Sequence, residues 1–110
     1  LNVTRYIMGI QVNGSMVYLS VFDGTQTAAV YSWTANGGLT QILEVYGLPF
    51  SALSIVDSML ILGGDFVVND TECNLAMFDT ISQEWLQMDQ LGSGSDGIVE
   101  SYSILYWSFT

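Results

Sequence analysis

The chain has 110 residues, of which half are apolar and only 11% are charged, and that composition excludes a disordered chain. The net charge is −10, with one Arg and no Lys or His, so its surface repels phosphate backbones and anionic lipid. We therefore expect no nucleic acid partner, and no membrane insertion because no apolar run is long enough to cross a bilayer.

Turn signals divide the chain into eight short strands. Asn13-Gly14 predicts a tight hairpin turn between residues 7–12 and 15–22, because both residue types tolerate positive φ. The later predicted strands are residues 28–34 and 39–45, then 50–56 and 59–65 joined at Asp57-Ser58, then 75–79 and 84–88. No segment shows a sustained helical period of apolar residues. The pattern predicts an all-β protein built from four-stranded antiparallel meanders.

A glycine doublet, Gly63-Gly64, ends the apolar strand in the middle of the chain. Thirteen residues separate Gly64 from Phe78, and six separate Phe78 from Trp85. This spacing is typical of one blade of a β-propeller. In such a blade the glycines allow a neighbouring backbone to approach so closely that a Cβ would clash, and the two aromatic residues fill the wedge between blades. We therefore expect Trp85 to lie between adjacent sheets.

The sequence around the doublet resembles kelch-type repeats of the galactose-oxidase-like β-propeller superfamily, and in particular the Rax2-like repeats of large cell-surface proteins. The similar motifs are Gly64-Asp65-Phe66, the strand at residues 74–79, Trp85 and the Leu-Gly-Ser-Gly crossover at residues 91–94. The resemblance covers about residues 47–101. It implies a propeller blade in an extracellular or cell-surface protein with a structural role.

Weaker echoes of this blade occur upstream. Residues 15–19 resemble 58–62, and residues 29–32 resemble 76–79, at distances of 43 and 47 residues. However, Ser20-Val21 replaces the glycine doublet, and Leu39 lies near the expected tryptophan position. We therefore predict a degenerate blade at residues 1–46, a kelch-like or Rax2-like blade at 47–97 and the start of a third at 98–110.

About two blades cannot close a propeller, which uses about four to eight. The chain also begins at Leu1 rather than Met and stops at an aromatic segment, residues 106–110. We expect an incomplete propeller segment, which is either a piece of a longer chain or a protomer completed by copies of itself. Exposed blade faces and strand edges need such neighbours.

Three Asn-x-Ser/Thr sequons, at Asn2, Asn13 and Asn69, suggest a secreted glycoprotein. Asn13 is also the residue type that the predicted hairpin turn favours. The single cysteine, Cys73, is either a small buried hydrophobic residue or half of a disulfide to missing chain or to a neighbour. Its predicted place in a loop at residues 67–74 favours the disulfide.

The same predicted loop holds the one candidate metal cluster, formed by Asp65, Asn69, Asp70 and Glu72. These side chains supply the oxygen donors that Ca²⁺ prefers, but their spacing matches no standard calcium loop. A solvated acidic loop is the favoured interpretation, and we expect no cofactor.

The absence of histidine removes Ser-His and Cys-His nucleophile pairs and the usual general base. The copper site of galactose oxidase contains histidine, so this chain cannot supply it. We expect no enzyme activity, and predict a structural or adhesive segment of a secreted or cell-surface glycoprotein. It would act through protein contacts in a filament or matrix, with the rest of its parent chain, copies of itself or wall components as partners.

Two alternatives remain. One is an accessory part of a secreted propeller enzyme. The other is a lectin-like propeller that stacks sugars on aromatic side chains. The aromatic residues that could do so are Tyr31, Trp33, Tyr46, Tyr102, Tyr106 and Trp107.

Overall fold

A computed structural model describes residues 5–89, and all regular structure in that range is β-strand. The strands are β1 (Tyr6–Asn13), β2 (Met16–Phe22), β3 (Thr27–Thr34), β4 (Gly38–Gly47), β5 (Ala52–Val56), β6 (Met59–Val68), β7 (Thr71–Asp79) and β8 (Glu84–Asp89). The all-β prediction is confirmed, and every predicted strand overlaps an observed one. The predicted third blade and the crossover that follows Trp85 lie outside the described range. Between residues 5 and 89 there is no helix of the length and apolarity that a membrane span requires.

The strands form two antiparallel meanders within one sheet. The first meander is β1-β2-β3-β4 and the second is β5-β6-β7-β8, with each strand paired to the next. Two residue pairs join the meanders, Tyr46 with Val67 and Gly47 with Phe66, where the end of β4 meets the second half of β6. The first half of β6 pairs with β5 instead. The sheet therefore branches at β6, and it does not close on itself.

The two meanders enclose one core, which we call the central cluster. β4 pairs with β6 on one side, and β1 lies close to β5 on the other, so the meanders face each other. The cluster takes Tyr18, Ala28, Val30, Leu43 and Val45 from the first meander, and Leu53, Leu60, Leu62, Phe66, Val68, Cys73, Ala76 and Phe78 from the second, together with Phe50. Along β3 and β6 the cluster takes alternate residues, because successive side chains of a strand point to opposite faces.

β6 changes its pairing partner at a bulge. Gly63 pairs with Leu75 and Phe66 with Cys73, so two residues of β6 oppose the single residue Asn74. The buried Asn74 amide donates to the Gly64 carbonyl oxygen over 2.9 Å. That bond satisfies a backbone acceptor that the bulge removes from the regular ladder.

The first hairpin turn differs by one residue from its prediction. Asn13 pairs with Met16 as the last residue of β1, so the turn consists of Gly14-Ser15 rather than Asn13-Gly14. Of these residues only Gly14 has positive φ, at +64°. A glycine at the first central position is the requirement of a type II′ turn, so Gly14 alone is sufficient for this hairpin. The Asp57-Ser58 turn lies where it is predicted, between paired Val56 and Met59.

The predicted loop at residues 67–74 is wrong. β6 and β7 continue into that range, and Val68 pairs with Thr71 across the two-residue turn Asn69-Asp70. Both turn residues have positive φ, at +51° and +65°, as a type I′ turn requires. Asn and Asp are among the few residues that tolerate this conformation, so a polar sequence forms a tight hairpin and Cys73 lies within β7.

The backbone approach at Gly64 is looser than the prediction for the glycine doublet requires, and a closer approach occurs at Gly47. A Cβ at Gly64 would lie 3.4 Å from the Phe50 Cα, which is ordinary van der Waals contact. A Cβ at Gly47 would lie 2.5 Å from the Phe66 Cα, and Gly47 has a φ of +152°. The position that tolerates no side chain is therefore the junction between the meanders.

Trp85 is half-buried and packs against the central cluster from β8. Its ring meets the Phe78 ring edge-on, with 5.0 Å between the ring centroids. The predicted aromatic pair therefore forms, but as cross-strand neighbours at the margin of the core.

Replacement of Gly47 tests the junction. We expect Gly47→Ala to lower the free energy of unfolding by about 3 kcal/mol or more, because the new Cβ displaces the Phe66 backbone and the φ is unfavourable for alanine. Gly38→Ala is the matched control, since Gly38 also has positive φ but no atom lies within 4 Å of the added Cβ. The control should lose only about 1 kcal/mol. Urea denaturation measures both values, and equal losses would contradict the close approach.

Candidate functional site

The most distinctive surface of the described chain is the side of the first meander that faces away from the central cluster. Leu19, Val21, Ala29 and Tyr31 form a small apolar cluster there. Cross-strand pairs extend it to β1, where Ile10 pairs with Leu19 and Val12 pairs with Val17. We call this surface the outer face of the first meander.

Several large apolar side chains of the outer face are exposed to solvent. Ile7, Ile10 and Val12 on β1 are each about 60% exposed, at 60%, 59% and 65%, and Trp33 and Leu39 are 44% and 49% exposed. These two residues pair with each other across β3 and β4 and continue the row that begins at Val12. Contiguous exposed apolar surface is typical of an interaction site, whereas single exposed apolar residues are normal.

β1 is an edge strand of the sheet, because β2 is its only pairing partner among the described strands. Its sequence has no proline or charge within Tyr6–Asn13, although natural edge strands usually carry such protection. A register shift between Ile7 and Gly9 marks a bulge in β1. Such bulges limit pairing at an edge, but the side chains of β1 remain exposed and are continuous with the apolar outer face.

The outer face contains a single carboxylate, Glu44, which pairs with Ala29. The one cation of the chain, Arg5, directly precedes β1. Its Nε atom is buried and has no hydrogen-bond acceptor within residues 5–89. In a chain with a net charge of −10, this surface thus carries little charge.

The junction between the meanders forms an open depression of about 270 Å³. It is lined by Thr25, Gln26, Tyr46, Gly47, Leu48, Asp65, Phe66 and Val67. The Tyr46 hydroxyl donates to Gln26 Oε1 over 2.9 Å, and the Gly47 N–H donates to the Gln26 carbonyl over 2.7 Å. These bonds fasten the end of β4 to the β2–β3 loop, so we assign the depression a structural role.

Asp23 shapes that loop. Its Oδ1 atom accepts from the N–H groups of Thr25, Gln26 and Thr27, at 2.9, 2.9 and 3.1 Å. The bonds from Thr25 and Thr27 hold the pKa of the Asp23 carboxyl well below its usual range. The carboxylate is thereby occupied in organising the backbone.

The structure does not assemble the candidate calcium ligands. Asp65 lies in the β6 bulge, Asn69 and Asp70 form the turn, and Glu72 pairs with Val67 on β7. Within residues 5–89 no group of three or more acidic, histidine or cysteine side chains comes together in a way that could hold a metal ion.

Two of the three sequons lie at exposed turns. Asn13 ends β1 directly before the Gly14-Ser15 turn, and Asn69 begins the turn between β6 and β7. Both residues are exposed to solvent, so an attached glycan would not disturb the core. Asn2 lies outside the described residues.

Cys73 belongs to the central cluster and is 1% exposed. Burial raises the pKa of its thiol from 9.0 to about 11, and the Sγ donates to the Thr71 carbonyl at 3.7 Å. These properties are those of a small buried hydrophobic residue, the first of the two alternatives for this cysteine. The loop position that favoured a disulfide is absent because the strands continue through it.

The aromatic residues of the lectin alternative do not share one environment. Tyr31 is buried and donates from its hydroxyl to Gln41 Oε1 over 2.9 Å. Tyr46 is exposed at the junction, and Trp33 lies on the outer face. Tyr102, Tyr106 and Trp107 lie outside the described residues.

The chain matches no protein-family model, no curated protein and no solved structure in the comparisons made. The assignment of the outer face as the candidate site therefore depends on the structure alone. Sequence reasoning did not identify it, although the alternation of Ile10 and Val12 along β1 carries a signal. That signal is ambiguous, because only the register with Leu19 and Val17 shows which side of the sheet these residues occupy.

Thiol labelling tests the burial of Cys73. At pH 8 the thiolate fraction of the native protein should be roughly 100-fold smaller than in the unfolded chain, because the native pKa is higher. We expect slow alkylation in buffer and fast alkylation in concentrated urea, both followed by mass spectrometry. Equal rates would contradict burial, and a chain that alkylates in urea only after reduction would establish the disulfide.

Proposed function

We propose that this chain is a non-catalytic structural or adhesive segment of a secreted or cell-surface glycoprotein, and that it acts through protein contacts. The observation that carries the proposal is the apolar outer face of the first meander with the exposed aliphatic side chains of its edge strand. A surface of this kind is unfavourable in water unless another protein surface covers it. The two meanders are four-stranded, as propeller blades are, and the resemblance to kelch-type and Rax2-like repeats agrees with that assignment.

The chemistry of the surface favours protein over other partners. The exposed side chains on it are chiefly aliphatic, with Ile7, Ile10 and Val12 forming one edge. Aliphatic groups bury area against another apolar surface but make no hydrogen bonds to sugar hydroxyls. The near absence of cations gives no attraction for phosphate groups. Extended protein contact is the function that fits this set of side chains.

Oxidative footprinting tests whether the outer face is covered in the native assembly. Met8, in the bulge of edge strand β1 beside Ile7, and Trp33, on the outer face in β3, are 50% and 44% exposed in the described chain. We expect hydroxyl radicals to oxidise both readily in the purified chain and several-fold less in native material, whatever partner covers them. Ile81, which is 82% exposed at the opposite turn, is the control and should not change. Undiminished oxidation of Met8 and Trp33 in native material would contradict the proposal.

Secretion through a eukaryotic pathway predicts glycans at the exposed sequons. Peptide mass spectrometry of native material should find hexosamine-based additions at Asn69 and at Asn13, which glycosidase treatment converts to Asp. Asn36 is the control, because it is exposed in a turn but lacks a sequon. Unmodified peptides at both sequons would remove the support for a secreted glycoprotein.

A further inference from the structure

The two meanders stack like successive members of a repeat. The evidence is the side of each meander on which equivalent residues lie. The echo between residues 15–19 and 58–62 makes Tyr18 equivalent to Ile61, and Leu19 equivalent to Leu62. Tyr18 points into the central cluster, whereas Ile61 points to the far side of the second meander. Leu19 lies on the outer face, whereas Leu62 points into the central cluster.

The second echo gives the same result. Ala29 and Tyr31 lie on the outer face, and their equivalents Ala76 and Phe78 lie in the central cluster. Val30 points into the central cluster, and its equivalent Met77 packs on the far side of the second meander. If a two-fold axis related the meanders, equivalent residues would face each other. Instead the meanders stack in the same direction, head to tail.

This stacking leaves two complementary surfaces at the ends of the chain. The outer face of the first meander corresponds to the side of the second meander that already packs in the central cluster. The far side of the second meander, which we call its outer face, carries Ala52, Ile61, Leu75 and Met77 and corresponds to the inner side of the first. We propose that the outer face of the first meander binds the outer face of the second meander of another copy of this chain. This inference rests on the proposed function and names its partner.

The charges favour this pairing over one between two second outer faces. The second outer face carries Asp79, Glu84 and Asp89: Asp79 lies on the same side of the sheet as Met77, Glu84 pairs with Asp79, and Asp89 pairs with Leu75. Pairing two such faces would oppose six carboxylates. Head-to-tail pairing instead brings these carboxylates to a face on which Glu44 is the one carboxylate among the described strands. The pairing also covers the aliphatic edge of β1.

A complementation experiment tests the direction of the contact. Ile10→Glu disables the first outer face and Met77→Glu disables the second, and each variant is analysed alone and in equimolar mixture by sedimentation velocity. We expect the wild-type chain to form concentration-dependent species larger than its 12.1 kDa monomer. Each variant alone should be monomeric, whereas the mixture should form dimers that grow no further. Each variant keeps one intact surface, and the two intact surfaces are complementary.

Controls separate the contact from misfolding. Ile81→Glu places the same charge on an exposed turn and should associate as the wild type does. Val56→Glu is a second test of the second outer face, at a residue that is 43% exposed, in case Met77→Glu does not fold. Circular dichroism and urea denaturation establish that each variant is folded.

A monomeric wild-type chain, a mixture that stays monomeric or a Met77→Glu variant that still self-associates would each overturn this inference. The last result would show that two first outer faces pair with each other. None of these results affects the footprinting test, which detects any partner on the outer face. Protection of Met8 and Trp33 together with a monomeric chain would retain the proposed function and reject the self-stacking.

Discussion

The packing of the two meanders against one shared core is the interaction on which the rest of the structure depends. Leu60 and Leu62 of β6 are fully buried in it, opposite Val30 of the first meander's inner side. Truncation of one such leucine to alanine typically costs about 2–5 kcal/mol, a large part of the stability of a domain of this size. Because these residues occupy one face of each meander, the opposite faces are left to solvent or to partners.

The junction at Gly47 sets the geometry of that packing. Its backbone lies against Phe66, and Phe66 is itself held edge-on by Phe50 with 5.1 Å between ring centroids. The bulge at Gly64 and Asp65 turns β6 from β5 toward β4, and Asn74 satisfies the backbone there. Glycine, bulge and buried amide therefore act together, and they allow one strand to belong to both halves of the sheet.

The strands were largely predictable because the local signals agree with the tertiary structure. Gly14 and Asp57 mark two of the turns, because both adopt positive φ. The apolar alternation around Leu60 marks the face of β6 that is buried. Errors arose where residues have two roles. Asn69 and Asp70 suggest a loop by polarity, but their tolerance of positive φ produces a two-residue turn instead.

The candidate surface and the Gly47 junction depend on contacts between residues that are distant in the sequence. Nothing near Gly47 indicates that Phe66 will approach it, and nothing near Ile10 indicates which side of the sheet is covered. Sequence periodicity identifies two faces per strand but does not assign them to core or solvent when both are apolar. The equivalence of Tyr18 with Ile61 was visible in the sequence, but its meaning required the positions of both side chains.

The most direct test of this account is a methyl-labelled nuclear Overhauser experiment in solution on the 110-residue chain. The structure predicts cross-peaks between the valine methyls of the first meander, Val30 and Val45, and the leucine methyls of the second, Leu53, Leu60 and Leu62. Such cross-peaks would establish that the meanders share one core and stack face to face. Cross-peaks confined within each meander, with none between these two groups, would contradict the account.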